Sequence, residues 1–273
     1  MEKVGIMDKS IRLSRLLFAA VFIGLGVVGL ISGDFALVWQ RIPIDNLPYR
    51  TFFAYLTAAI ELSCGLGLLF TATLRITVRV LFVFMVLWAI LLKLPAVVVV
   101  PSLEATWLGF GEIGVILAGA WVLFASHSGW KLRFLTGDSG IRSARVFMAL
   151  CLPMIGLSHF FYSDATAGFV PHWMPFPLGW AYLTGAGSLA ACLGLLFRVM
   201  PRLAATAEAA MLGVITLLVW VLPLLAKLDD RTLWTASLIS ATIALGAYVV
   251  ADTYRSNTWL VSGKSGNAIS ADP

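Results

Sequence analysis

Residues 51–70 read TFFAYLTAAIELSCGLGLLF, and residues 178–197 read LGWAYLTGAGSLAACLGLLF. Each stretch is mainly apolar, and as a helix that rises 1.5 Å per residue it would cross the roughly 30 Å hydrocarbon core of a bilayer. The two stretches share the segments AYLT and LGLLF at one constant offset, which carries Ala54 onto Ala181 and Leu66 onto Leu193. They therefore predict both a membrane-spanning helical fold and an internal repeat.

The composition of the whole chain agrees with a membrane protein. Of its 273 residues, 60% are hydrophobic and 12% are charged, whereas about 25% are charged in average globular domains. The mean hydropathy is +0.94, which excludes a soluble enzyme and a disordered protein. We predict eight membrane helices, over residues 16–32, 51–70, 76–100, 107–126, 145–162, 178–197, 203–226 and 232–254.

The distribution of basic residues predicts how the chain is oriented. Of 19 Lys and Arg residues, 14 lie in the N-terminus, the alternate loops and the C-terminal tail, and four lie in the opposite loops. This pattern follows the positive-inside rule and does not form one basic surface, so we expect no nucleic-acid partner. We predict a multi-pass protein of a bacterial-type cytoplasmic (inner) membrane, with both termini in the cytoplasm.

Comparison of the chain with itself predicts its domain organisation. Residues 29–70 and 156–197 align without a gap and are identical at 14 of 42 positions, against roughly 3 or 4 by chance. We predict two four-helix bundles, 1–126 and 145–255, joined by a basic cytoplasmic linker at 127–144 and followed by a polar tail at 256–273. Because each unit has an even number of helices, the two would be parallel repeats about an axis along the membrane normal.

The outer connection of each unit is rich in proline and aromatic residues. The first reads FALVWQRIPIDNLPYRTFF over residues 35–53, and the second reads FVPHWMPFPLGWAY over residues 169–182. The prolines prevent a regular helix, and the tryptophans suit the headgroup region. We therefore expect a short segment along the membrane surface in each unit.

The order of these motifs resembles the DoxX-like membrane proteins. The motifs follow one another in a fixed order: a first helix, a connection of the form F-x-P…P, the segment AYLTG, and a third helix that begins with Arg, Leu and Ala. The second unit carries most of the resemblance, in Phe169, Pro171, Pro175, Trp180–Gly185, Leu193–Phe197 and Arg202–Ala205. The first unit keeps the glutamate often found in the second helix of such proteins, here Glu61, where the second unit has Ser188. The resemblance implies a helical bundle from a functionally mixed family, which includes membrane subunits linked to quinone-coupled oxidation of reduced sulfur.

Three ionisable residues are predicted to lie inside the bilayer, where each costs about 3 kcal/mol at a helix centre unless it is paired. Glu61 is near the middle of its helix, and Lys93 and Glu112 lie about 10 and 8 Å from the outer ends of theirs. We expect a Glu61–Lys93–Glu112 group, in which Thr57 donates a hydrogen bond to Glu61. The group is either an ion pair that fixes helix register, or a proton relay or polar anchor for a lipophilic ligand such as a quinone.

The corresponding positions of the second unit are Ser188, Trp220 and Ile239, so we expect polar chemistry only in the first unit. Glu208 is expected to reach the cytoplasmic surface beside Arg198 or Arg202.

Few other residues suggest chemistry. The three cysteines form no CxxC, and no pair of histidines faces across a bundle, so we expect neither a metal nor a haem. The leading hypothesis is a non-catalytic accessory, assembly or lipophilic-ligand-binding protein of the bilayer, with a quinone or lipid as ligand and a membrane complex as partner. The alternative is a membrane subunit of a quinone-linked oxidoreductase that uses Glu61 and Lys93.

Overall fold

The computed structural model describes residues 2–36 and 48–260, with side chains from Leu13 onward. Within them, eight helices are long and apolar enough to cross a membrane, which confirms the predicted all-α class and the number of candidate spans. They are α1 Glu2–Ser32, α2 Arg50–Leu69, α3 Thr71–Val99, α4 Glu104–His127, α5 Gly137–Phe161, α6 Pro177–Leu196, α7 Pro201–Ala226 and α8 Arg231–Asp252.

The linker between α4 and α5 is shorter than predicted, because α5 begins at Gly137 and not at residue 145. The sequence TGDSG suggests a loop, but Asp138 lies in the first turn of α5, where a negative charge is favourable. Gly140 lets this turn fold closely onto the preceding segment, since a Cβ there would lie 2.3 Å from the carbonyl oxygen of Leu135.

The predicted surface segments are described only in part. Directly before the second outer connection lies the short helix Ser163–Gly168, whose residues are partly or fully exposed. Most of the first connection falls on residues 37–47, and most of the predicted tail on 261–273; both ranges lie outside the described residues.

The helices pack as two rings of five that share a wall. In the first ring, α1, α2, α3 and α4 follow one another, and α8 packs against both α4 and α1. In the second ring, α5, α6, α7 and α8 follow one another, and α4 packs against both α8 and α5. The first four and the last four helices therefore do not each close on themselves, because each ring is completed by a helix of the other half.

The shared wall is a close contact between the α4 and α8 backbones. A Cβ built on Gly119 of α4 would lie 2.7 Å from the Cα of Gly246 of α8. Small residues allow such an approach between helices in lipid, where packing replaces the hydrophobic effect as the source of association. Gly119 and Gly246 also lie 127 residues apart, which is the offset that aligns residues 29–70 with residues 156–197.

Further local features recur at this offset. The indole Nε1 of Trp107 donates to the carbonyl six residues earlier at 2.9 Å, and that of Trp234 makes the same bond at 2.8 Å. Tyr49 and Phe176, directly before α2 and α6, both adopt left-handed backbone conformations, with φ of 59° and 56°.

Both third helices of the halves contain a π-helical segment. The segments are Ala89–Lys93 in α3 and Thr216–Val221 in α7, and Pro95 and Pro223 follow them closely. Proline lacks an amide hydrogen and clashes with the carbonyl four residues earlier, and the wider π turn accommodates both effects. The π turn in α3 ends on Lys93 and so influences where this cation points.

Candidate functional site

A cleft lies inside the first ring, between α1, α2 and α8. Its enclosed part has a volume of about 20 Å³, room for about one water molecule, and it lies within a wider space of about 370 Å³ that includes open solvent. It opens at the end of the molecule where α1 ends and α2 and α8 begin, the end opposite the termini. The apolar part of its lining comes from all three helices and includes Leu25, Val28, Ala54, Ala58 and Ile239.

Glu61 places a buried carboxyl group in the lining of this cleft. It lies eleven residues after Arg50, the first residue of α2, which places it roughly 16 Å along the helix from the mouth. Only 4% of the residue is exposed. The burial follows from close packing of α1 on α2, since a Cβ on Gly65 would lie 2.6 Å from the amide nitrogen of Ile23. Glu61 therefore faces the interior of the ring and not the lipid.

Thr57, one turn before Glu61, also lines the cleft. Its hydroxyl donates to the backbone carbonyls of Ala54 at 2.9 Å and Phe53 at 3.0 Å. The predicted hydrogen bond from Thr57 to Glu61 is therefore wrong, because the single hydroxyl hydrogen points to the backbone of α2. The lone pairs of this oxygen remain able to accept a hydrogen bond.

The mouth of the cleft is lined by charged residues. Nε and an Nη atom of Arg50 each lie 2.9 Å from Oδ1 of Asp34, which follows the end of α1. Arg231, the first residue of α8, donates to the carbonyl oxygens of Asp34 and Phe35 at 2.9 and 3.0 Å. These contacts hold the chain after α1 against the start of α8 and fix the width of the mouth. Among the described residues at the mouth, two arginines thus contact one aspartate and its neighbouring backbone.

The structure brings Lys93 and Glu112 together on a different pair of helices, α3 and α4. Lys93 is 8% exposed, and it lies close enough to Glu112 for the two charges to interact. Its ammonium group lies over Gly109, where a Cβ would be 3.4 Å from Nζ. Neither residue is part of the cleft lining, so the inclusion of Glu61 in one group with this pair stays a prediction.

Glu104, the first residue of α4, belongs to the same charge cluster, and sequence reasoning missed it. Its charge acts on Glu112, and both its carboxylate oxygens are buried without a hydrogen-bond partner among the described residues. The sequence predicts that the helix starts at residue 107, which leaves Glu104 in a loop. The signal that could have identified Glu104 is the segment SLEA over residues 102–105, because an acidic residue is favourable in the first turn of a helix.

A second buried carboxyl group lies in the other ring, at Glu208 of α7. It is 2% exposed, and the hydroxyl of Ser188 of α6 donates to its Oε1 at 2.9 Å. The predicted contact of Glu208 with Arg198 or Arg202 at the cytoplasmic surface is therefore wrong. Both rings therefore contain a buried carboxyl group, and the expectation that polar chemistry occurs only in the first unit stays a prediction.

The remaining candidate residues have ordinary partners. Nδ1 of His159 lies 2.8 Å from the Thr184 hydroxyl, and the three cysteines are buried free thiols. In residues 2–36 and 48–260, no three or more His, Cys, Asp or Glu side chains are placed to hold a metal ion.

Comparisons with known proteins add one match. The model of a domain of unknown function, DUF8561, matches residues 148–255, from the first half of α5 to just beyond α8. No curated protein and no solved structure matches the chain.

Proposed function

We propose that the protein is a non-catalytic accessory or assembly component of a bacterial-type cytoplasmic membrane, and that it binds a lipophilic ligand in the α1–α2–α8 cleft. The observation that carries this proposal is the buried Glu61 in a largely apolar cleft. Ligand sites commonly combine apolar walls with a few polar groups that orient the ligand. An ionisable residue inside a membrane is costly, so a functional role is the default hypothesis for Glu61.

The proposal includes the arrangement of the chain. Both termini lie in the cytoplasm and the mouth of the cleft faces the other side, as the excess of basic residues supports. The halves are parallel tandem repeats of a DoxX-like unit. The indole hydrogen bonds that recur at equivalent positions of the two halves support the repeat, and so does the match over 148–255, which nearly coincides with the predicted second unit.

The second candidate function is a membrane subunit of a quinone-linked oxidoreductase. It is favoured by the Lys93–Glu112 pair next to a π turn, a feature frequent at functional sites. In this role Glu61 and Lys93 would hold a quinone head group or transfer its proton. The variants Glu61→Gln and Lys93→Met test it, and unchanged quinone binding and electron transfer in both would eliminate it.

The experiment for the leading proposal is purification of the full chain in mild detergent, followed by mass spectrometry of extracted lipophilic molecules and of any protein partner. Glu61→Leu removes the carboxyl in the cleft, and Glu208→Leu is the matched control because it removes the other buried carboxyl. We expect a stoichiometric bound molecule in the native protein and in the control, and its loss from Glu61→Leu. Absence of such a molecule from the native protein contradicts ligand binding, and turnover by the isolated chain contradicts a non-catalytic role.

A further inference from the structure

Glu208 of the second ring has one buried oxygen atom that none of its neighbours satisfies. The hydroxyl of Ser188 donates to Oε1, whereas Oε2 is buried and has no hydrogen-bond partner in residues 2–36 and 48–260. Buried polar atoms of native proteins are nearly always satisfied, so an exception indicates a bound water, an ion or a proton. The surroundings of Glu208 decide between these three.

The helices on both sides of Glu208 are in close contact. A Cβ on Gly187 of α6 would lie 2.9 Å from Sδ of Met211 of α7, one turn beyond Glu208. A Cβ on Gly194 would lie 2.8 Å from Cβ of Ala204, one turn before it. A proton needs no additional space between helices packed in this way, whereas a water molecule or a metal ion does.

The charges around Glu208 do not compensate a carboxylate. No charged group of the described chain acts on it, and its polar contact is the neutral hydroxyl of Ser188. Arg202, the cation of its own helix, donates to the carbonyl of Asn257 and lies over the ring of Trp259. Helices α6 and α8 both pack against α7. Their titratable residues are Tyr182, Cys192, Arg231, Tyr248 and Asp252, and the one cation among them, Arg231, lies at the opposite end of α8.

A row of polar groups leads from Glu208 to the end of the ring where α5 ends and α6 begins. Ser188 and Thr184 lie one turn apart on α6, so that rotation of the two hydroxyl groups brings their oxygens towards each other. Nδ1 of His159 lies 2.8 Å from the Thr184 oxygen. His159 is partly exposed and lies two residues before the end of α5. Histidine takes up and releases protons near neutral pH, which makes this residue a suitable entry point.

We propose that Glu208 is a proton-binding site of the second ring, in which a neutral carboxylic acid exchanges its proton with water through Ser188, Thr184 and His159. A buried carboxyl group without a cation avoids the cost of an isolated charge when it binds a proton. Binding forms one O–H bond on Glu208. Each hydroxyl on the route gives up one hydrogen and receives another, and His159 takes the incoming proton from water. The proposal requires no ligand in the α1–α2–α8 cleft.

Infrared difference spectroscopy of the full-length protein in lipid nanodiscs tests the site. A protonated carboxyl group has a C=O stretching band above the amide I region, and a carboxylate does not. We expect this band at neutral pH in the native protein and its loss in Glu208→Gln, which keeps the size and the acceptor but cannot bind the proton. Glu61→Gln is the matched control, because it removes the buried carboxyl of the other ring and should leave the Glu208 band in place.

A second variant identifies the band even where Glu208→Gln does not fold. Ser188→Ala removes the hydrogen bond to the carboxyl group. The C=O band of Glu208 should therefore move to higher frequency, because a carbonyl oxygen without a hydrogen bond has a stiffer double bond. A neutral acid elsewhere in the chain would not respond to this substitution.

Transfer of the same samples from H₂O to D₂O tests the route. Exchange of the acid proton for deuterium shifts the band, and the time course gives the exchange rate. His159→Phe and Thr184→Val should each slow this exchange at least about tenfold, since both remove a group that passes on the proton. Thr216→Val is the matched control and should leave the rate unchanged. Thr216 is a hydroxyl of the same ring, but it contacts Ser240 at the wall between α7 and α8.

The outcomes separate the site from the route. If the difference between native protein and Glu208→Gln contains carboxylate bands and no C=O band, Glu208 is ionised and the proposal is wrong. If the band is present but exchange is equally fast in all variants, or slowed by Thr216→Val alone, the route is wrong and the proton-binding site stands. Failure to find a ligand in the α1–α2–α8 cleft would contradict the proposed function and would leave these spectra unchanged.

Discussion

The hydroxyl of Ser188 donates a hydrogen bond of 2.9 Å to Glu208, and Ser188 occupies the position of the second half that corresponds to Glu61. Where the first half has a carboxyl on α2, the second half has a hydroxyl on α6 that binds a carboxyl on α7. Leu81 occupies the position of α3 that corresponds to Glu208. Each ring thus contains a buried acid, although the acid is on a different helix in the two rings.

The Ser188–Glu208 pair predicts a clear stability effect. Ser188→Ala removes the donor and leaves Glu208 with both oxygens unsatisfied, since its Oε2 already has no partner within the described part of the chain. We expect a loss of about 1–3 kcal/mol in the free energy of unfolding. Titration with a denaturing detergent, followed by circular dichroism, measures it.

The control is the double variant Ser188→Ala/Glu208→Leu. It replaces both partners by apolar groups and copies the leucine of the first half, so most of the lost stability should return. A double variant no more stable than Ser188→Ala would contradict the assignment of this pair.

The contact between α4 and α8 predicts a packing effect at Gly119. Gly119→Ala places a methyl group 2.7 Å from the Cα of Gly246, so the helices must separate, at a cost of about 1–3 kcal/mol. Gly213→Ala is the matched control, because a Cβ there meets no atom of the described chain within 4 Å. The same unfolding titration should show no loss for the control, and equal behaviour of the two variants would argue against the close contact.

The charge pair of α3 and α4 predicts energetic coupling. Lys93→Met leaves Glu104 and Glu112 without their cation, whereas Lys93→Met/Glu112→Leu removes both partners. We expect the double-mutant cycle to give a coupling energy of about 1 kcal/mol or more. Lys227→Met, at an exposed lysine, should stay within about 0.5 kcal/mol of the native protein. Additive effects at positions 93 and 112 would contradict a direct pair.

The proposed topology predicts which cysteines react from outside the cell. The buried native cysteines are first replaced. The variants Ser102→Cys and Asp229→Cys then place a cysteine in exposed loops at the mouth end of the molecule. Both should react with an impermeant maleimide in intact cells. Lys131→Cys lies in the exposed linker at the other end and should react only after the membrane is opened. The reverse pattern would invert the orientation.

Much of the fold could be predicted, because membrane spans depend on length and hydropathy along the chain. Apolar runs of about 20 residues indicated all eight helices, and only end positions such as Gly137 differed. Which helices become neighbours depends on side-chain shape. A glycine such as Gly119 permits close packing of two helices, but the sequence does not show that it meets Gly246 and not a residue of its own half.

The candidate site was predicted less completely. The cost of burying charge in lipid pointed to Glu61, Lys93 and Glu112, and the structure buries the first two and pairs the last two. The hydrogen bond of Thr57 to its own helix and the inward position of Glu208 depend on rotamer and helix rotation. Side-chain rotamers and helix rotation depend on the packing of neighbouring helices, which the residue types alone do not specify.

The common wall of α4 and α8 limits what half of this chain could do by itself. Four helices would form an open arc, because the fifth member of each ring comes from the other half. A half-length protein of this kind could complete both rings only by pairing with a second copy about a twofold axis at the glycine contact. When two such copies are joined in one polypeptide, each can acquire its own substitutions. One ring can then have its buried acid on the second helix of its half, while the other has it on the third.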